Sequence, residues 1–198
     1  MDSDEPAEEM IEEVDILDYI DEGMYFGREA YLGMYAGLFG ISGKAVVPKP
    51  TEKCFGPWIT DEMRGIRRYI IALETNFWGI EFEDTRQVAY SGIDLIFEND
   101  EYCHFRKVGF CIYDYCSVEG NCDIGTVIDN ITENAFALIT SVSQVFSIFK
   151  QTAWTDMDKE EKGYAFNQIG HATTTLFADL WGFKPTAENM EEFAEFLQ

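Results

Sequence analysis

Between Ile124 and Phe149 one spacing repeats without interruption. Ile124, Ile128, Ile131, Ala135, Leu138, Val142, Val145 and Phe149 follow one another at alternating four- and three-residue steps, the interval that returns side chains to one face of an α-helix. A strand would instead alternate at every second residue. A helix over residues 124–150 would be roughly 40 Å long at 1.5 Å per residue. Ile139 and Phe146 widen its apolar stripe beyond a two-stranded seam. The pattern therefore predicts a long central helix that serves as the spine of a bundle.

Other segments carry the same signature. Ile59, Met63, Ile66, Ile70 and Leu73 recur at helical steps behind Thr60, Asp61 and Glu62, a set of helix-start residues. Asp84-Thr85-Arg86-Gln87 resembles a capping box, and Val88, Leu95, Ile96 and Phe97 behind it imply deep burial, with Asn99-Asp100 as the stop. Tyr102–Cys116 reads as a further helix with Phe105, Val108, Gly109, Ile112 and Cys116 on one face. Asp158 and Glu161 make a capping box ahead of Phe166, Ile169, Thr173, Leu176 and Leu180, and Gly182 with Pro185 supplies the stop. A short acidic helix over 187–197 presents Met190, Phe193 and Leu197, and Gly43–Pro57 is an irregular, proline-rich connection. The fold expected is all-α: an irregular multi-helix bundle of six or seven helices, with no strand.

Charge is the second constraint. The 198 residues hold 37 acids against 14 bases, a formal net charge of −23. That field opposes nucleic acid and anionic membrane surfaces, and it favours cations or basic proteins as partners. Eleven acids, Asp2 to Glu22, precede the first basic residue, Arg28. Residues 1–22 thus form an acidic N-terminal arm, and Met10, Val14 and Leu17 give it helical spacing and one apolar stripe. Residues 23–198 are expected to form a single helical domain. Arg64, Arg67 and Arg68 make the densest positive cluster in the chain. They either pair locally with Asp61 and Glu62 or receive the acidic arm of the same or a neighbouring copy.

Gly23-Met24-Tyr25-Phe26-Gly27 recurs ten residues later as Gly33-Met34-Tyr35-Ala36-Gly37. Small residues four apart let another helix backbone come close, so Gly33 and Gly37 mark a helix face that packs in the core or against a second copy. The segment is too short to span a bilayer and carries Arg28-Glu29, so no transmembrane segment is expected.

Five cysteines, Cys54, Cys103, Cys111, Cys116 and Cys122, lie four within twenty residues. Such clustering implies two disulfides, one unpaired thiol and an oxidising compartment. Pairing stays open except for Cys103 with Cys111. In a continuous helix these would stand roughly 12 Å apart, beyond disulfide reach. Asn130-Ile131-Thr132 is a glycosylation sequon, which agrees with secretion. Met1 is followed by acids rather than by a basic and apolar stretch, so the numbering is expected to start at a mature chain whose signal peptide is absent.

Tests for chemistry return little. Glu101-x-x-His104 has the spacing of helical di-iron proteins, but the partner motif around His171 has Gln168 in place of the acid. The cysteines lack the short paired knuckle of a zinc site. Near Lys44 the first glycine of a phosphate loop is replaced by Leu38 and its hydroxyl by Ala45, and near Asp156 a calcium loop fails at Glu161 and Asn167. No metal, cofactor or catalytic residue is expected. The function expected is a non-enzymatic secreted structural or interaction protein that self-associates into an oligomer or polymer, its acidic arm docked on the arginine patch. The alternative is a disulfide-stapled helical carrier of a lipid or other apolar ligand.

Overall fold

The computed structural model describes residues 5–40, 47–75, 82–151 and 154–183. Among them are seven α-helices and no strand: α1 (Glu5–Phe39), α2 (Trp58–Thr75), α3 (Phe82–Cys103), α4 (Phe105–Ser117), α5 (Ile124–Glu133), α6 (Ala135–Gln151) and α7 (Lys159–Trp181). The chain is all-α, as expected. The segment 187–197 lies outside the described residues. Two compact units emerge. One takes α1 as far as Tyr25 together with Thr51–Cys103, and the other takes Phe26–Pro50 and the chain from His104 onward. Helix α1 runs through residue 22 without a break.

In the first unit α2 and α3 pack against each other. A disulfide joins Cys54, in the loop before α2, to Cys103, the last residue of α3, with Cα atoms 4.8 Å apart and both cysteines fully buried. The Thr51 N–H donates to the Tyr102 carbonyl at 2.9 Å, and the Phe55 N–H to Asn99 Oδ1 at 3.1 Å. Phe55 is thereby held at φ 51°, a left-handed conformation that bulky residues rarely adopt. Because Asn99 is committed to this loop, it does not stop α3, which continues to Cys103. The start of α2 also differs from expectation. The helix begins at Trp58, and the Thr60 hydroxyl donates to Asp21 of α1 instead of capping its own helix. On α3, Ile96 and Phe97 are exposed where deep burial was expected, since α2 covers the side bearing Val88 and Ser91.

A left-handed residue, His104 at φ 61°, separates α3 from α4. The helix predicted over Tyr102–Cys116 is therefore two elements.

In the second unit α1 and α7 meet along their smallest residues. A Cβ on Gly33 would collide with the Asn167 backbone, one on Gly37 with His171 and Thr174, and one on Gly170 with Ala30. Such close backbones allow direct polar bonds across the seam: Thr174 Oγ1 donates to the Met34 carbonyl at 3.0 Å, and Asn167 Nδ2 to that of Glu29 at 3.1 Å. The start of α7 is as predicted, with Asp158 accepting from the Glu161 N–H at 2.8 Å and Glu161 returning the bond to the Asp158 N–H at 3.1 Å. Its end is also as predicted, with Gly182 left-handed at φ 63°. Beyond it Phe183 enters a core of Tyr35, Leu38, Phe39, Val47 and Cys111, which Tyr115 and Phe177 flank. The Tyr35 hydroxyl donates to the Val47 carbonyl and the Tyr115 hydroxyl to that of Gly182, the latter at 2.7 Å.

The predicted spine is divided. Asn134, at φ −108° and ψ 20°, separates α5 from α6, and both helices pack on α7. The inward positions are Val127, Asn130, Asn134, Leu138, Ser141, Val145 and Ile148, which are buried or half-buried. The heptad stripe read from the sequence does not coincide with them. Ile124, Ile128 and Ile131 are exposed, whereas Leu138 is buried. A strict seven-residue repeat drifts about 20° per heptad around a straight helix, so the stripe starts outside on α5 and rotates inward along α6.

Gly170→Ala should destabilise the fold by about 1–3 kcal/mol through overpacking against Ala30. Gly109→Ala on α4, where a Cβ meets nothing within 4 Å, should be neutral or stabilising by up to about 1 kcal/mol, and urea denaturation of both variants checks the contrast. Burial pushes the hydroxyl pKa of Tyr35 and Tyr115 up. Their contribution is complete below the ordinary tyrosine range and is lost as pH climbs through the folded-state value. Tyr35→Phe should therefore flatten the alkaline decline in thermal stability above about pH 10, while costing about 1 kcal/mol at neutral pH.

Candidate functional site

Of the three arginines in the predicted basic patch, the structure gives each a different setting. Arg64 is bound to its own helix, its guanidinium 2.8 Å from Asp61. Arg67, half-buried, is engaged elsewhere in the chain. Arg68 is exposed and makes no ion pair or hydrogen bond among the described residues. It lines a half-open cleft of about 290 Å³ between α2 and α3.

The cleft follows from helical spacing. Gly65, Arg68, Tyr69 and Ala72 lie three and four apart on α2, and Gln87, Val88 and Ser91 do so on α3. Gly65 leaves room at the contact, where a Cβ would reach only to 3.9 Å from Ser91 Oγ. The Tyr69 hydroxyl is hydrogen-bonded to Thr85 Oγ1 at 2.8 Å. The cleft thus combines a cation, hydroxyl and amide groups and an apolar wall from Ala72 and Val88. Chemically this suits a carboxylate at the end of a short aliphatic stem. The sequence pointed to Arg68 through its charge. It gave no sign of Gln87 or Ser91, because their place beside Arg68 depends on how α2 and α3 pair.

The remaining predicted site residues are distributed through the two units. Gly33 and Gly37 face α7 of the same chain, so the core packing of the two alternatives is the one observed. Asn130 is half-buried, and its Nδ2 donates to the Leu180 carbonyl at 3.1 Å beside Gly182. A glycan on that nitrogen would displace this bond. The cysteines pair as Cys54–Cys103 and Cys116–Cys122, and Cys111 is free and buried. Burial, then the Asp114 charge, pushes the Cys111 thiol pKa up, which is the opposite of what a nucleophile needs. Among the described residues no group of three or more His, Cys, Asp or Glu is placed to hold a metal, and no helix is long and apolar enough to cross a membrane.

No protein family, curated protein or solved structure matches the chain. Two disulfides are compatible with an extracellular or secretory location.

A thiol reagent should label no cysteine in the native chain at neutral pH and one per chain, Cys111, in denaturant without reductant. Labelling of native Cys111 would contradict its burial.

Proposed function

We propose that this chain is a non-enzymatic secreted interaction protein that self-associates, the acidic N-terminal arm of one copy docking in the α2–α3 cleft of another. The observation that carries this reading is Arg68, an exposed cation lining a cleft and making no ion pair among the described residues, in a chain of net charge −23. With acids outnumbering bases 37 to 14, the densest supply of carboxylates available to that cleft is the chain's own first 22 residues. Docking of a carboxylate against Arg68 would give a charge-assisted hydrogen bond, with the Ser91 hydroxyl and the Gln87 amide as donors to its remaining lone pairs. A half-open cleft of about 290 Å³ with a cation and a mixed polar and apolar lining encloses too little apolar surface for an acyl chain, so the carrier reading gains no support from it.

Light scattering on the full chain tests the proposal. At low salt the wild-type protein should form species larger than one chain, and the arm–cleft contact in them should weaken as salt rises, because exposed charge pairs are screened. Arg68→Ser should weaken that association by roughly tenfold, about the value of one charge-assisted hydrogen bond. Replacing Glu8, Glu9, Glu12 and Glu13 together by Gln should do the same. An unchanged mass distribution in both variants would sink the reading.

A further inference from the structure

The outward side of α5 and α6 carries an apolar face that none of the described residues of the second unit covers. Ile124, Ile128, Ile131, Ile139, Val142 and Phe146 are exposed to between 37% for Val142 and 80% for Ile124. With Ala135 between Ile131 and Ile139, their steps are four, three, four, four, three and four residues. That is an eleven-residue repeat, which tracks one side of a straight helix far better than a heptad does. The inward positions already described run parallel to it and continue across Asn134, so the outward face is continuous across the break as well. Scaled by these exposures the six apolar side chains amount to roughly 500–700 Å². A monomer's largest apolar patch is about 300–600 Å², and one side of a standard stable interface is about 800 Å².

Charge identifies the occupant. No charged residue occurs from Asn134 to Phe149, in a chain of net charge −23. A basic partner would find no counter-charge on this part of the face and would be drawn to the acids elsewhere. Two copies of the chain repel each other over most of their surfaces, but not where the uncharged α6 part of this face meets itself; Asp129 and Glu133 lie on α5. A two-fold interface sets the same patch on both sides, so isoleucine and phenylalanine meet their like and no like charges are brought together along α6.

We infer that the α5–α6 face pairs with the same face of a second copy, forming a two-fold dimer. This rests on the self-association reading but uses a surface other than the arm and cleft, and it responds to salt in the opposite sense. Salt screens the repulsion between two acidic chains and leaves burial of apolar surface intact, so this contact strengthens as ionic strength rises.

Sedimentation equilibrium of the full chain at about 0.02 M and about 0.5 M NaCl, spanning the screening range, tests it with the variants Ile139→Asp, Phe146→Asp and Tyr164→Asp. The wild type should populate a dimer that tightens at high salt. Ile139→Asp and Phe146→Asp should each weaken it by at least about tenfold, and at a dilution where the wild type is monomeric should leave the thermal midpoint unshifted, since both side chains are exposed. Tyr164→Asp, on the exposed side of α7, should leave it unchanged. A wild type monomeric at high salt would overturn the proposal, as would a dimer that survives both α6 substitutions. Loss of the low-salt species in Arg68→Ser with the high-salt dimer retained would separate the two contacts. Loss of only the high-salt dimer in Ile139→Asp would leave the cleft reading standing by itself.

Discussion

The second unit depends on the contact between the backbones of α1 and α7. Gly33, Gly37 and Gly170 remove the side chains that would hold these helices apart, and the closeness lets Thr174 and Asn167 bond directly to α1 carbonyls. Further consequences follow in order. With the seam fixed, Tyr35, Leu38 and Phe39 at the end of α1 meet Phe183 just beyond the end of α7. The carbonyls at that end of α7 then hold two other helices: Tyr115 of α4 bonds to Gly182, and Asn130 of α5 to Leu180. Helix-end carbonyls are orphan acceptors, and here they are satisfied by the elements they position.

What the sequence disclosed was local. The capping box at Asp158 and Glu161 and the glycine stop at Gly182 are legible because the residues that make them are adjacent in the chain. Where a cue answers to a distant partner, reading it locally fails. Thr60 resembled a cap but bonds to Asp21, and Asn99 resembled a stop but holds Phe55. The stripe from Ile124 to Phe149 was correctly helical, yet its orientation was not legible. Heptad and eleven-residue patterns share Ile124, Ile128, Ile131, Ala135 and Val142, and only the packing on α7 shows which side is buried. Half of the candidate cleft was similarly hidden. Arg68 stands out in an acidic chain, whereas Ser91 acquires meaning only when α3 lies beside α2.

The disulfides answer a different constraint. A net charge of −23 destabilises any compact state through self-repulsion, and the first unit leaves Ile96 and Phe97 exposed instead of adding them to a core. Closing the 49-residue separation between Cys54 and Cys103 removes unfolded-state entropy worth on the order of 4 kcal/mol in the chain-entropy view, and the short Cys116–Cys122 loop on the order of 2 kcal/mol. Among the described residues the longer link sits in the unit with fewer buried apolar side chains, Ile59 beside the two cysteines. There it also ties the loop ahead of α2 to the end of α3, the two helices whose pairing creates the cleft.

The two proposed contacts differ in symmetry, and that difference governs what they can build. Arm into cleft is heterologous: each copy gives one surface and receives on another, so the contact either closes into a ring or continues as a chain. Face to face across α5 and α6 is isologous and stops at two. A molecule carrying both would make three contacts, one by its arm, one by its cleft and one by its α5–α6 face, so the two-fold contact would cross-link the rings or chains that the arms build. Ionic strength then selects between the contacts, since one is made by opposite charges and the other is opposed by like charges. In the proposed assembly the net charge of −23 is what would make the choice between the two contacts depend on ionic strength.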